Sequence, residues 1–117
     1  MLTDEQRADR AMLESDLQRY VTDLATLYGW LWVHFRHAKT ERGWRVPVEG
    51  PMGKGWPDLY LVHPVKMRTM FIEIKRQLAQ LGPEQDWVLQ QLRQAGNEVH
   101  VIRPEDLRMS RIQDALA

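Results

Sequence analysis

The sequence predicts an α/β domain in which helices flank a mixed sheet, in the approximate order αβββαβα. Three observations predict it. Leu13, Leu17, Tyr20, Val21, Leu24 and Leu27 recur at helical spacing near the N-terminus. Two short apolar runs, Leu59 to Val62 and Met70 to Lys75, flank a turn from His63 to Arg68. An amphipathic segment from Pro83 to about Ala95 then leads into the β-rich run Glu98 to Ile102. At 117 residues the chain reads as a single domain over 1–117, with room for one core and not for two.

The elements follow in order. Thr3 to Tyr28 reads as one helix, capped by Thr3 with Gln6 three residues on; Asp4 and Glu5 suit its N-terminal end and Gly29 stops it. Trp30 to Phe35 is aromatic-rich and reads as the first strand. Arg36 to Gly55 is polar, basic and glycine-bearing, a long loop with a short strand near Trp44 to Val46. Leu59 to Val62 and Met70 to Lys75 form a hairpin. Pro83 suits the first turn of the next helix, from which Trp87, Leu89 and Leu92 pack inward, and Gly96 ends it. Glu98 to Ile102 is the last strand, and Asp106 to Leu116 the closing helix. The five tryptophans read as mostly core, with Trp44 and Trp56 placed to stack on bases or sugars.

Composition narrows the classes. With no cysteine there are neither disulfides nor Cys-based zinc sites, as suits a reducing compartment. The charged N-terminus is no signal peptide, and no apolar run approaches a membrane span. The expectation is a soluble intracellular protein, cytoplasmic in a bacterial or phage-infected cell, without a membrane partner. Sixteen basic residues balance sixteen acidic ones, but not evenly along the chain. Arg36, Lys39, Arg42, Arg45 and Lys54 crowd one stretch against Glu41 and Glu49, and Lys75 and Arg76 lie at the second apolar run. That clustering predicts phosphate contacts on one face, with Lys54, Arg36, Lys39, Arg42, Arg45 and Arg76 as the DNA-binding candidates.

The chemistry concentrates in Gly55-Trp56-Pro57-Asp58 and Phe71-Ile72-Glu73-Ile74-Lys75. On a strand, residues i and i+2 share a face, so Glu73 and Lys75 point one way while Met70, Ile72 and Ile74 point the other. Asp58 opens the neighbouring strand behind a glycine-bearing loop, whose glycines allow close backbone approach to a ligand. Two carboxylates can hold Mg²⁺ or Mn²⁺ against a phosphate, because such ions take oxygen ligands and keep several waters. Unpaired buried charge is costly, so a burial-prone strand carrying both Glu73 and Lys75 points to a site. Two acids beside Lys75 favour its charged form, hence an electrostatic role. The histidines share no metal-ligand spacing with the acids, and no zinc is assigned.

These residues, together with Pro83-Glu84-Gln85 opening a helix and Arg103-Pro104-Glu105-Asp106 near the end, resemble the VRR-NUC family of the PD-(D/E)XK nuclease superfamily. The resemblance runs from about Met12 to Asp106, and Glu14 and Gln18 match the family's N-terminal Glu and Gln. It implies a restriction-endonuclease-like fold. It implies catalytic roles for Asp58, Glu73, Lys75 and Gln85, with the Ile74 carbonyl as a further metal ligand and Glu14 reaching the metal through water. It also implies branched DNA substrates, such as Holliday junctions or flaps, in DNA-repair or phage settings.

The expectation is therefore a Mg²⁺- or Mn²⁺-dependent, structure-specific DNA endonuclease. Cutting two strands symmetrically needs two active sites, so a homodimer is expected. The alternatives are a nicking or restriction-like nuclease on linear duplex, and a nucleic-acid-binding protein whose nuclease fold no longer cuts.

Overall fold

A capped helix opens the chain. In the computed structural model, which describes residues 1–35 and 48–117 and the backbone of 38–40 and 43–45, Thr3 accepts from the Gln6 N–H and Gln6 answers at the Thr3 N–H. The elements are α1 (Asp4–Ala11), α2 (Glu14–Leu27), β1 (Leu31–His34), β2 (Ala38–Thr40), β3 (Gly43–Arg45), β4 (Leu59–His63), β5 (Arg68–Ile74), α3 (Pro83–Gln94), β6 (Glu98–Ile102), α4 (Pro104–Arg108) and α5 (Arg111–Leu116). A 3₁₀ turn, Gly53–Gly55, precedes β4.

The predicted first helix is two helices. Met12 and Leu13 are extended, with ψ of 129° and 153°. The cause is tertiary. The buried Asp9 carboxylate accepts from Arg108 of α4 at 2.9 Å, and Arg76 donates to the Arg10 carbonyl at 3.2 Å, so α1 packs away from the line of α2. The closing helix is likewise split, at Ser110, whose φ of 60° is left-handed.

The main sheet has the order β1-β4-β5-β6. Its β4–β5 hairpin pairs Leu59 with Ile72 and His63 with Arg68, and β1 lies antiparallel on the outer side of β4. β5 and β6 run parallel, joined by a crossover through α3. β2 and β3 form a separate two-stranded ribbon within the predicted loop.

Each face of the sheet has its own core. On one side Met70, Ile72 and Ile74 pack with Leu59, Leu61, Leu17, Val21, Ile112 and Leu116. On the other, Phe71 packs with Val88 and Leu92 of α3, and with Trp56, Tyr60 and Val99. Trp87 does not pack inward as predicted; it is 47% exposed, and Val88, Leu89 and Leu92 take the buried stripe. Of the four tryptophans whose side chains are described, Trp30 and Trp56 pack in the core, and Trp32 and Trp87 do not. Trp30 is buried, donating to the Leu116 carbonyl, while Trp32 lies on the exposed edge strand β1.

Candidate active site

The glycine loop reaches Asp58 by leaning on α3. A Cβ on Gly55 would fall 2.2 Å from the Glu84 carbonyl oxygen, so only glycine lets the 3₁₀ turn sit this close to the first turn of that helix. Trp56 comes next, clamped edge-on by Phe35 at 5.8 Å and Phe71 at 5.3 Å. Its indole N–H is buried and has no partner among the described residues. Trp56 is thus part of the packing under the loop, not a free stacking platform; the side chain of Trp44 lies outside the described residues. This aromatic clamp was not found by sequence reasoning. The signal was Phe71 on the Glu73 face of its strand, which calls for an apolar cover.

Asp58 is fixed twice. Its carbonyl accepts from the Phe35 N–H at 2.9 Å, tying it to the end of β1. Its carboxylate Oδ2 accepts from the Ile74 N–H at 2.7 Å, a short, charge-assisted bond across the mouth of the β4–β5 hairpin. A residue in a strand sends its N–H and C=O to the same side, so the Ile74 carbonyl leaves the strand toward Asp58 as well. The next backbone N–H, that of Lys75, bonds the Ile102 carbonyl on β6.

Glu73 stands between them on the α3 face, 1% exposed, with Oε2 buried and without a partner among the described residues. Burial first, then a hydrogen bond with Asp58 and the Asp58 charge, push its carboxyl up to about 10; Lys75 opposes them and the Glu14 charge adds a smaller rise. Two carboxyl groups so placed resist ionising together unless a cation offsets their charge.

Among the described residues no three acids or histidines gather as a ready metal cage. The set that does converge is Asp58, Glu73 and the Ile74 carbonyl, all hard oxygen donors. A buried Glu73 oxygen lacking a partner fits a divalent ion that keeps part of its water shell.

The remaining predicted residues surround this centre unequally. Lys75 is half-buried, and among the described residues its ammonium is in no ion pair. Glu14 is exposed in the first turn of α2, within electrostatic reach of Glu73. One turn on, the Gln18 amide meets His34 Nδ1 at 3.1 Å, and His34 pairs with Leu59, next to Asp58. Gln85 Oε1 accepts from the Gly82 N–H at 3.0 Å, so it caps α3. Lys54 pairs with Glu84 at 3.4 Å on the surface. Arg76 is turned to α1, as above. The side chains of Arg36, Lys39, Arg42 and Arg45 lie outside the described residues.

Residues 49–106 match the family model for the VRR-NUC domain. A solved structure described as a VRR_NUC domain is similar over 77% of this chain and 83% of its own, with 24% identity and a TM-score of 0.56. At that identity the likeness speaks for the fold. No curated protein matches the chain.

Proposed function

The chain belongs to the VRR-NUC family, nucleases of the PD-(D/E)XK type, and from that premise we propose that it is a Mg²⁺- or Mn²⁺-dependent endonuclease cutting phosphodiester bonds in branched DNA such as Holliday junctions or flaps. The observation that carries the reading is the Asp58–Ile74–Glu73 cluster: a carboxylate anchored by a backbone N–H at 2.7 Å beside a buried carboxyl with an unpartnered oxygen.

Asp58, Glu73 and the Ile74 carbonyl would hold the ion, which when bound polarises the phosphate and lowers the pKa of its water. The rest is the work of this chain's own groups. The Ile74 N–H holds Asp58 in one orientation, so its carboxylate needs no reorganisation. Lys75, carried on the same face of the strand two residues after Glu73, offers a positive charge to the phosphate oxygens as negative charge builds there. Glu14 sits at the rim, where a carboxylate can bind through water. Gln85, as the cap of α3, keeps that helix seated against the Gly53–Gly55 turn and acts on the site through it. Phosphate contacts fall to Lys54 and the basic stretch from Arg36 to Arg45. The proposed setting is DNA repair or phage replication inside a cell, carried out by a homodimer.

The test is cleavage of labelled four-way junction, flap and linear duplex with Mg²⁺, Mn²⁺ or chelator. Wild type should cut branched substrates best and only with metal, and Asp58→Ala should lose about 10²-fold or more. Equal cutting by Asp58→Ala would remove the site assignment, and a preference for linear duplex would remove the branched-DNA reading.

A further inference from the structure

Beside the Gly53–Gly55 turn the surface opens into an apolar groove of about 540 Å³, within the size range of small-molecule sites. Pro51 and Met52 line it from the loop, Trp87 and Gln91 from α3, and Trp56 lies among them. Trp87 and Gln91 are four apart, so they stand one above the other on the same helix face. Met52 and Trp56 pack on the core of Phe71, Val88 and Leu92, which makes that part of the lining firm. Trp87 lies outside that core and is exposed.

We propose that this groove receives an unpaired nucleobase of the DNA substrate, stacked on the Trp87 indole. The proposal rests on the DNA-cutting reading above and deepens it by saying where an unpaired strand goes.

Position favours that occupant. Trp56 lines the groove and precedes Asp58 by two residues, at most about 7 Å of chain. It also packs on Phe71, which shares its strand face with Glu73. A base held here therefore belongs to a nucleotide close to the phosphate at Asp58 and Glu73. Charge agrees. Among the described residues lining the groove only Glu49 is charged, and a carboxylate repels phosphate. What enters is a neutral ring, while Lys54, next to Gly53 in the turn, is exposed and can meet the backbone outside. Chemistry completes the match. Every base has a π-face that stacks on an indole, and the Gln91 amide can both donate and accept at a base edge. A paired base is stacked within the duplex and cannot offer that face. The occupant thus comes from a branch or flap, where the base is already unpaired.

The experiment measures binding in chelator, so that nothing is cut, to a flap whose first unpaired nucleotides are made abasic one at a time. Wild type should bind the intact flap about tenfold more tightly than the flap abasic at one of these positions. Trp87→Ala should bind intact DNA as weakly as wild type binds that abasic flap, and should no longer tell the two apart. Trp87→Phe should keep most of the difference, and circular dichroism confirms that both variants stay folded. A wild type indifferent to every abasic position would overturn the base site. So would a Trp87→Ala that weakens intact and abasic flaps alike, or one that changes the mass of the protein in light scattering, since the groove would then be covered by a second copy. Cleavage in Mg²⁺ is scored separately. Cutting that ignores the abasic residue removes the groove and spares the nuclease, whereas abasic discrimination without cutting does the reverse.

Discussion

A carboxyl group shut away beside a second carboxylate keeps its proton at neutral pH until a cation takes the proton's place. Glu73 is in that position, with its carboxyl pushed up to about 10 by burial and then by Asp58. Two outcomes follow from the sign of this shift. Ion binding must expel the proton, so calorimetry at about pH 8 in buffers of different ionisation enthalpy should report close to one proton released per ion. Glu73→Gln should release none and bind the ion far more weakly. In the metal-free protein the folded state retains a proton that the unfolded chain, titrating near 4.5, has lost. Stability from this group is therefore intact below about pH 4.5 and falls as pH rises toward 10. The melting temperature should drop across that window, and Glu73→Gln should flatten the slope. A wild-type slope no steeper than the variant's would show that Glu73 titrates normally. Strand alternation alone showed that Glu73 and Lys75 share a face. The Asp58–Ile74 bond was not legible in that way, because it depends on how far β4 starts before the register with β5 closes.

At the scale of elements, the hairpin, the crossover helix and the last strand were readable because period-two and helical patterns, Pro83 and Gly96 all agree. The break between α1 and α2 was not. Met12 and Leu13 are ordinary helix residues, and no glycine or proline marks the spot. What ends α1 is a bond 99 residues away in sequence, from Arg108 to Asp9. Trp87 misled for a related reason: size suggested burial, but the first turn of α3 faces the Gly53–Gly55 loop and solvent, leaving Val88 to fill the core. The same contact gives a prediction. Gly55→Ala forces a methyl to 2.2 Å from the Glu84 oxygen, whereas Gly82→Ala meets nothing nearer than 3.7 Å. The first should cost roughly 1–3 kcal/mol in urea unfolding, because the turn must lift off α3. Asp58 lies three residues beyond, so cleavage should fall with it. Gly82→Ala should leave both within error. Equal effects of the two substitutions would mean that the close packing of this turn does not hold Asp58.

For the molecule as a whole, sixteen basic residues against sixteen acidic ones give no net attraction for DNA. Binding must come from where the charges stand and from how many copies stand together. In the proposed homodimer two Asp58–Glu73 centres are held together, and a junction engaged by one centre is presented to the other. A supercoiled plasmid that extrudes a cruciform reads this out directly. Two cuts made within one binding event give linear product, whereas independent cuts relax the plasmid after the first nick, reabsorb the cruciform and stop at open circles. Wild type should give linear DNA. Wild type mixed with excess Asp58→Ala and left to exchange subunits should give mostly open circles, because most wild-type copies then sit in dimers with one working centre. Linear DNA from that mixture would mean that paired incision does not need two working centres in one dimer. Open circles from wild type would mean that each copy works by itself.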